Sequence, residues 1–397
     1  MMTETYKKIY LKRGKEESLL RFHPWIFSGA IHHADEGIAE GETVRVMTSE
    51  EKFIAVGHYQ IGTITVRVLS FSDVLIDDDF WKQRLNAALQ MRQRIGVVDN
   101  PQNDTYRLVH GEGDGLPGLI VDCYGPTAVM QAHSVGMHVC REQICKALVD
   151  VMGGRIAQVY YKSETTLPFK LGLGQEDGFL YGSTDNNLAM ENGLQFNIDW
   201  LRGQKTGFFV DQRENRSLLE HYAKDKTILN MFCYTGGFSV YAMRGGAKLV
   251  HSVDSSAKAV ELTNRNVELN FPGDSRHEAF CDDAFKYLDA NDNKYDLIVL
   301  DPPAFAKHRG VLRNALKGYT RLNARGLERI KHGGILFTFS CSQVVTKDHF
   351  RNAVFTAAAQ TGRKVRILHQ LHQPADHPIN IYHPEGEYLK GLVLYVE

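Results

Sequence analysis

Two short segments, each at the polar end of an apolar run typical of a buried strand, carry the residues best suited to chemistry. They are Asp-Pro-Pro-Ala-Phe at residues 301–305 and Phe-Ser-Cys-Ser at residues 339–342. Two consecutive prolines fix the backbone and remove two N–H donors, so nearby carbonyls, Asp301 and the ring of Phe305 can face a planar heterocycle. We therefore predict a rigid, base-sized slot with the thiol of Cys341 positioned to attack what lies in it.

Cys341 is the sharper of these signals. Carbon 5 of a pyrimidine is a poor nucleophile, but addition of a thiolate to carbon 6 turns it into an enolate-like carbon that can take an electrophilic methyl group. A base must then remove the proton from carbon 5 so that the thiolate is expelled. A core cysteine would be inert, whereas a thiol just past a strand can be partly ionised. Together with the slot, Cys341 predicts methylation of a nucleic-acid base carbon.

Three further features follow apolar runs and suit a nucleoside cofactor. One run ends in a turn that contains Gly236 and Gly237, which lets the backbone approach a ligand closely. The next ends at Asp254, whose carboxylate can accept both hydroxyls of a ribose, and Asp283 lies where it could bind the exocyclic amine of an adenine. A GxGxxG motif is absent, so the pattern favours S-adenosylmethionine (SAM) over NAD. Each acid alone is weak evidence, because caps and turns recruit Asp everywhere.

Length, composition and charge limit the class of protein. The chain has 397 residues, of which 43% are hydrophobic, enough for two or three domains with real cores. It lacks an apolar stretch of roughly 18 residues, and residues 1–13 lack the apolar core of a signal peptide, so we expect a cytoplasmic protein. The six cysteines form no CxxC pair and have no His partner at zinc spacing, so neither a disulfide framework nor a metal is expected. The net charge of -1 gives no global nucleic-acid signal, so any basic face must be local.

One local candidate is the N-terminal segment, where basic and aromatic residues alternate. The basic residues are Lys7, Lys8, Lys12, Arg13, Lys15 and Arg21, and the aromatic residues are Tyr6, Tyr10, Phe22 and Trp25. This combination suits RNA, because cations meet phosphates while rings stack on unpaired bases. A solvated strand face with a core tryptophan explains the segment equally well.

The pattern divides the chain into three domains. Residues 1–75 show short alternating strands and a brief helix at 24–29, which predicts a small β-barrel. Residues 76–188 open with a helix after the acids at 77–79 and continue as strand, strand, helix, strand, strand, which predicts an α+β domain. Residues 189–397 alternate continuous apolar runs with helices, which predicts a doubly wound α/β fold with its ligand crevice beyond the strand ends. The predicted strands are 9–12, 43–47, 53–59, 65–69, 119–121, 127–131, 156–161, 227–231, 249–253, 297–300 and 334–339, and a helix is predicted at 139–152.

The chain resembles the ribosomal RNA large-subunit methyltransferase I family, which comprises cytosine-5 methyltransferases with a PUA domain, a central EEHEE domain and a Rossmann-like catalytic domain. The resemblance runs nearly end to end. The matching motifs are SLLRFHPWIFSG at 18–29, GEGDGLPGL at 111–119, KTGFF at 205–209, DQR at 211–213, DPPAF at 301–305 and SCS at 340–342.

The resemblance implies SAM as methyl donor and a large-subunit rRNA cytosine as substrate. The implied cofactor contacts are Phe232, Thr235, Gly236, Asp254, Asp283, Ala284 and Asp301, with Asp211, Gln212 and Arg213 bordering the pocket. The candidate substrate contacts are Pro302, Pro303 and Phe305 in the slot and Lys12 and Arg21 in the first domain.

The chain departs from the better-known two-cysteine cytosine-5 enzymes at one position. Those enzymes carry a second cysteine after the prolines, where this chain has Ala304, so product release needs another base. Asp301 is one candidate. Glu385 is the other, because a late carboxylate near a strand end could reach the pyrimidine face. Glu385 is the less favoured candidate base, because a Glu beside a Gly is often only a turn residue.

Two other functions fit part of the pattern. Enzymes that methylate a guanine nitrogen share an Asp-Pro-Pro-Thr-Phe type of loop, and because nitrogen lone pairs need no thiol, Cys341 would then be dispensable. A non-catalytic RNA-binding assembly factor would keep the fold and the cofactor, but the intact Asp254, Asp301 and Cys341 argue against it. The sequence identifies neither the modified nucleotide nor whether the protein is a homodimer.

Overall fold

The computed structural model describes residues 6–167, 176–183, 186–291, 294–306 and 308–397. The first five residues of the charged N-terminal stretch lie outside this range. The chain forms two compact units. The first unit runs through Met190 and includes Ile198–Val210 and Ala375–Gly386, and the second comprises Glu191–Asn197, Asp211–Pro374 and Glu387–Glu397. The predicted third domain thus contributes to both units, and the predicted domain boundaries stay predictions.

A six-stranded sheet begins the first unit, in the order β2-β6-β5-β4-β1-β3. Its strands are β1 (Lys7–Leu11), β2 (Trp25–Phe27), β3 (Ile31–Ala34), β4 (Thr43–Met47), β5 (Phe53–Tyr59) and β6 (Ile64–Ser70), and helix α1 (Glu17–Leu20) follows β1. β1 pairs in parallel with β4, and the other pairings are antiparallel. Alternate strand residues such as Ile9, Val44 and Val46 are buried, which gives this sheet its own apolar core.

The predicted helix at residues 24–29 is wrong. Trp25–Phe27 forms strand β2, and a single 3₁₀ turn follows at Ser28–Ala30. Ile26 is buried and pairs with Val66 of β6. Pairing with a distant strand therefore overrides the local pattern.

A five-stranded sheet in the order β11-β10-β9-β8-β7 forms the next part of the first unit. Its elements are α2 (Asp78–Arg94), β7 (Thr105–His110), β8 (Leu119–Tyr124), β9 (Thr127–Ala132), α3 (Val135–Val139), α4 (Arg141–Met152), β10 (Gln158–Tyr161) and β11 (Gly178–Tyr181). The predicted order of strand, strand, helix, strand, strand is present from β8 to β11, and β7 adds an edge strand. Helix α2 begins where predicted, because Asp77 Oδ1 accepts a hydrogen bond from the Phe80 backbone N at 2.9 Å.

The glycine-rich segment at 111–119 has a structural role in this part of the unit. Gly115 and Gly118 have φ of +68° and +85°, values that favour glycine. Asp114 forms a two-point ion pair with the buried Arg92 and also accepts from the His110 backbone N at 2.6 Å. These bonds fix the turn against α2.

The second unit is built on a seven-stranded sheet in the order β16-β15-β14-β17-β18-β20-β19. A separate two-stranded sheet of β12 (Leu188–Glu191) and β13 (Leu194–Asn197) precedes it. The seven strands are β14 (Thr227–Met231), β15 (Leu249–Asp254), β16 (His277–Cys281), β17 (Tyr295–Leu300), β18 (Ile330–Ser340), β19 (Val365–His372) and β20 (Lys390–Val396). The helices are α5 (Arg213–Tyr222), α6 (Gly237–Arg244), α7 (Ala257–Asn270), α8 (Ala284–Ala290), α9 (Leu312–Arg329) and α10 (Lys347–Thr361).

The strands from β16 to β18 are parallel, and β20 lies antiparallel between β18 and β19. Ile298, Val299 and Leu300 are all buried, as expected for a sheet covered on both faces. The predicted doubly wound α/β fold is confirmed. Strands β19 and β20 were not predicted. Among the described helices, none combines the length and apolarity needed to cross a membrane.

Candidate active site

The parallel strands bring the predicted segments to one edge of the sheet. Met231 of β14 pairs with Val253 of β15 and with Leu300 of β17, and Leu300 pairs with Thr338 of β18. Because these strands run in one direction, the residues that follow them lie at the same carboxyl edge. That edge carries the turn after β14, Asp254, the segment from Asp301, and Cys341.

The turn after β14 has an unusual backbone conformation. Phe232, Tyr234 and Gly236 have φ of +58°, +48° and +79°, and non-glycine residues rarely adopt such values. A Cβ at Gly236 would lie 2.7 Å from Thr263 Cγ2, so only glycine fits there. The carboxylate of Asp254 accepts from the Tyr234 backbone N at 3.1 Å and so helps to hold this turn.

Asp283 serves as the N-cap of α8. Its Oδ1 accepts from the backbone N atoms of Phe285 and Lys286, both at 3.0 Å, and Ala284 begins the helix. Asp283 is exposed. Both capping bonds go to one carboxylate oxygen, so capping and the predicted binding of an adenine amine are compatible.

Asp301 accepts the last bond of a short hydrogen-bonded chain. Gln212 Nε2 donates to Asp301 Oδ2 at 3.0 Å, and Asn215 Nδ2 donates to Gln212 Oε1 at 2.6 Å. Nearby, Tyr388 donates its hydroxyl to Asp211 Oδ2 at 2.7 Å. Burial, and then the charge of Asp211, raise the pKa of Asp301 to about 7. This carboxyl can therefore gain or lose a proton near neutral pH.

The Asp301→Asn variant is expected to change how stability depends on pH. The unfolded chain releases this proton near the ordinary aspartate pKa of about 3.9, whereas the folded protein holds it up to about pH 7. The free energy of unfolding contributed by Asp301 therefore falls as pH rises between those values, because the folded state binds more protons. The variant has no carboxyl at this position, so it does not lose this stability as pH rises. The difference in melting temperature, variant minus wild type, should therefore be larger at about pH 8 than at about pH 5. Equal differences at both pH values would contradict the raised pKa.

Cys341 lies just past β18, is half-buried and is not in a disulfide. Its two neighbours are anchored by their hydroxyls. Ser340 Oγ donates to the Tyr319 hydroxyl at 2.9 Å, and Ser342 Oγ donates to the Ala306 carbonyl at 2.6 Å. The second bond fastens the cysteine segment to the end of the Asp-Pro-Pro-Ala-Phe segment, so the structure brings the two predicted segments together.

Sequence reasoning gave no role to a buried lysine beside Cys341. Lys390 begins β20 directly opposite Ser340 and is buried. Its Nζ donates to the carbonyls of Ser342 and Val345 at 2.6 and 2.5 Å. Burial lowers the pKa of Lys390 to about 8, and attraction to Cys341 opposes that shift. A charged ammonium here favours the thiolate form of Cys341. In the sequence, Lys390 shows only as a lysine that opens an apolar run. Its position beside Cys341 depends on the pairing of β20 with β18, which is not local.

Four other cysteines are unsuited to act as nucleophiles. Burial raises the pKa of the Cys123 and Cys233 thiols to about 12 and of the Cys140 and Cys145 thiols to about 11. Thiols with such high pKa values remain protonated near neutral pH. These four, three of them buried and Cys140 half-buried, behave as small hydrophobic residues.

The slot residues differ in exposure. Pro302 is buried and Pro303 is exposed. The ring of Phe305 packs on Tyr319 with a centroid distance of 4.6 Å. A Cβ at Gly318 would lie 3.0 Å from the Phe305 ring, so the ring sits close against α9. The packing of Phe305 on α9 therefore helps to hold the slot segment in place. Pro303 is the slot residue with the most open surface.

Two further predicted pocket residues, Arg213 and Thr235, are buried. Arg213 is buried at the start of α5, and its Nε donates to Glu214 at 3.3 Å. Thr235, in the turn after β14, is buried as well. Their predicted contacts with the cofactor remain predictions.

Three predicted site residues belong to the first unit. Lys12 and Arg21 are exposed, and Lys12 Nζ donates to the Gly29 carbonyl at 3.0 Å. Glu385 places Oε2 at 3.5 Å from His23 Nε2 and at 3.7 Å from His383 Nε2. The predicted roles of Lys12, Arg21 and Glu385 stay predictions.

The N-terminal basic and aromatic residues divide into two groups. Some have structural partners: Lys7 pairs with Glu42 at 3.2 Å, and Tyr10 stacks on His33 with a centroid distance of 4.3 Å. By contrast, Phe22 has 47% of its surface exposed. The structural interpretation therefore holds for Lys7 and Tyr10, and RNA binding by the exposed residues stays a prediction.

The residues at the carboxyl edge suit a cationic nucleoside such as SAM. SAM offers ribose hydroxyls, an adenine amine and an ammonium group as donors, and it carries a positive sulfonium. The site supplies anionic acceptors in Asp211, Asp254, Asp283 and Asp301. Asp211 Oδ1 is buried without a hydrogen-bond partner among the described residues, and such an acceptor costs about 1–3 kcal/mol unless a donor arrives. The donor groups of SAM fit this requirement.

Known proteins share both sequence and domains with this chain. Residues 9–71 match the PUA-like domain family, and residues 179–385 match the S-adenosylmethionine-dependent methyltransferase family. The chain is 39% identical to ribosomal RNA large subunit methyltransferase I from Aeromonas hydrophila subsp. hydrophila over 394 residues, covering 97% of this chain and 98% of that protein. It is 37% identical to the protein of the same name from Klebsiella pneumoniae (strain 342) over 404 residues, with both chains covered in full.

Two solved structures share the fold. A protein from Streptococcus mutans assigned as a SAM-dependent methyltransferase superposes with a TM-score of 0.83 at 23% identity, covering 98% of this chain and 100% of that one. SMU.776, solved in complex with SAH, has a TM-score of 0.84 at 24% identity, with the same coverage. The predicted fold, PUA-like domain and SAM cofactor are confirmed. Because it is 37–39% identical to these named relatives over nearly its full length, the chain belongs to the ribosomal RNA large subunit methyltransferase I family of SAM-dependent methyltransferases.

Proposed function

We propose that this methyltransferase modifies carbon 5 of a cytosine in large-subunit rRNA through a covalent adduct with Cys341. The substrate class comes from the relatives, which are named as large-subunit ribosomal RNA methyltransferases. The chemistry rests on one observation: a half-buried Cys341, fastened beside the Asp301 segment by the Ser342 hydroxyl. Because its proposed substrate is ribosomal RNA, we expect the activity in the cytoplasm.

Cys341 carries out the first step. In its thiolate form the sulfur adds to carbon 6 of the cytosine, and the electron pair of the 5,6 double bond moves to carbon 5. SAM, when bound, supplies the electrophilic methyl group. The charge of Lys390 favours the thiolate, and its bonds to the Ser342 and Val345 carbonyls hold the backbone next to Cys341. Lys390 is thus a positioning residue.

A base completes the reaction by removing the proton from carbon 5. The electron pair of that C–H bond re-forms the 5,6 double bond, and the sulfur leaves as a thiolate. Asp301 is the stronger candidate, because it belongs to the same compact unit as Cys341 and because its pKa of about 7 suits a base near neutral pH. Glu385 belongs to the other unit and contacts two imidazoles, which favours a different role.

The PUA-like domain offers a surface for RNA. Lys12, Arg13, Lys15 and Arg21 are all exposed. Phe22 lies among them with its ring about half exposed, at 47%. Exposed cations and an exposed ring suit phosphates and unpaired bases respectively. We place RNA contacts of the first unit here, with Lys12 and Arg21 among them.

The product tests the proposed function. Protein-free large-subunit rRNA is incubated with methyl-labelled SAM and the wild-type protein, and the digested nucleosides are separated by mass spectrometry. We expect label in 5-methylcytidine. Label in a methylguanosine would overturn the cytosine mechanism. No label on free rRNA or on assembling particles would favour the non-catalytic RNA-binding factor.

The Asp301→Asn variant tests the base. We expect methylated RNA to remain attached to Cys341, because the proton on carbon 5 is no longer removed. The adduct appears as an RNA-linked protein band under denaturing conditions. Glu385→Gln is the matched carboxylate control and should release product normally. If Glu385→Gln accumulates the adduct and Asp301→Asn does not, Glu385 is the base and Asp301 is not.

A further inference from the structure

We propose that His23, His383 and Glu385 bind a divalent transition-metal ion, with zinc as the ion that fits best. Each side chain offers one ligand atom, and these atoms all lie within 4.8 Å of one another. All three residues belong to the first unit, whereas Cys341 and Asp301 belong to the second. The methyl transfer proposed above does not use this cluster, so the two proposals are independent.

The distances suit a metal centre. Glu385 Oε2 lies 3.5 Å from His23 Nε2 and 3.7 Å from His383 Nε2. In a tetrahedral zinc site with ligands at about 2.0–2.1 Å, the ligand atoms are roughly 3.4 Å apart. Small side-chain rotations would therefore bring the three atoms around one ion. These separations exceed ordinary hydrogen bonds, so a direct hydrogen-bonded cluster accounts for them less well.

His383 gives the strongest sign that a ligand is required. Its side chain is 3% exposed. Neither of its ring nitrogens has a hydrogen-bond partner among the described residues. A buried polar atom left in this state costs about 1–3 kcal/mol. A metal ion at the lone pair of one nitrogen would remove that cost.

The backbone of Trp25 holds the Nδ1 atom of His23. The Trp25 backbone N donates to Nδ1 at 3.2 Å, and the Trp25 carbonyl oxygen lies 3.4 Å from the same atom. With Nδ1 held in this way, the opposite ring nitrogen, Nε2, faces Glu385 Oε2 at 3.5 Å. The backbone of Trp25 thus orients the imidazole so that Nε2 points toward the carboxylate.

The backbone holds both histidines in place. Each is followed by a proline, Pro24 and Pro384, which restricts the conformation of the residue before it. Phe22, directly before His23, has φ of +63°, a strained value for a non-glycine residue. The Trp25 ring packs against the His383 ring with a centroid distance of 4.3 Å. The donors are therefore largely preorganised.

The donor set indicates zinc. Two imidazoles and one carboxylate without a thiolate are typical of zinc sites that keep an open fourth position. The Glu385 side chain is 47% exposed, so water can supply the fourth ligand. A bound ion would connect the segment Ala375–Gly386 to the start of β2 within the first unit. His23 and His383 come from opposite ends of the chain, which is why their spacing in sequence predicted no metal.

Metal binding by the full-length protein tests this proposal. The protein is stripped with a chelator, dialysed and titrated with zinc alone by calorimetry, and cobalt is substituted to read the visible absorption of a four-coordinate site. We expect one zinc per chain, the cobalt spectrum of a tetrahedral site and a higher melting temperature with zinc. Each of the variants His383→Ala and Glu385→Gln should weaken zinc binding at least about tenfold.

The controls separate this site from adventitious binding. His32→Ala removes an exposed imidazole from the same domain and should leave the zinc affinity unchanged. Glu385→Gln keeps the side-chain size at a half-exposed position, so it provides a folded variant if His383→Ala fails to fold. No zinc bound to wild type, or equal binding by wild type and Glu385→Gln, would overturn the proposal.

Discussion

The Cys341→Ala variant should lose methyl transfer almost completely, by about a thousandfold or more in turnover. Without the sulfur, carbon 5 of the cytosine remains a poor nucleophile, and no other described cysteine follows β18 beside the Asp301 segment. The fold should survive, because Cys341 is half-buried and the anchoring bonds belong to Ser340 and Ser342. Labelled 5-methylcytidine formed per minute is the measurement.

Cys140→Ala is the matched control for this experiment. Cys140 is also half-buried, but it lies between α3 and α4 of the first unit. Burial raises the pKa of its thiol to about 11, so it is protonated near neutral pH. We expect this variant to keep wild-type turnover. If Cys341→Ala instead keeps more than about a tenth of the wild-type rate, the covalent mechanism is wrong and direct methylation of a nitrogen becomes the better explanation.

The second large effect concerns stability. Arg216→Met should lower the free energy of unfolding of the second unit by about 3–5 kcal/mol. Arg216 donates from Nε and Nη2 to the two carboxylate oxygens of Glu191 at 2.8 and 2.7 Å, and both residues are buried. Tyr241 also donates its hydroxyl to Glu191 at 2.9 Å. Removing the cation leaves a buried carboxylate without its countercharge, which is the costly outcome for such a pair.

Urea unfolding followed by far-ultraviolet circular dichroism is the suitable measurement. The tryptophans at 25, 81 and 200 all belong to the first unit, so their fluorescence does not report directly on the second. Helices α5 to α10 belong to the second unit, so circular dichroism includes its unfolding. Arg244→Met is the matched control, because Arg244 also pairs with a glutamate, Glu220, at 2.6 Å but is partly exposed. Loss of that pair should cost no more than about 1 kcal/mol.

The double variant Arg216→Met with Glu191→Met gives a further check. With both charges removed, no buried charge lacks a partner, so much of the lost stability should return. If Arg216→Met unfolds within about 1 kcal/mol of wild type, the pair is less well isolated from water than its burial indicates.

Local signals in the sequence specify several elements directly. Strands β4, β5 and β14 have the predicted bounds, because alternating or continuous apolar runs between turn residues specify them directly. Asp77 was recognisable as a helix start because its cap bond reaches only three residues ahead. Cys341 and Asp301 were found because each directly follows an apolar strand, and parallel strands bring such positions to one edge.

Which distant residues meet depends on packing that no local pattern predicts. Lys390 reaches the carbonyls beside Cys341 only because β20 inserts antiparallel between β18 and β19, a register that no local pattern encodes. Trp25–Phe27 became a strand because β6 was available as a partner. His23 and His383, from opposite ends of the chain, face one carboxylate because the segment Ala375–Gly386 joins the first unit. Helix and strand periods act over a few residues, whereas these contacts depend on packing between elements far apart in sequence.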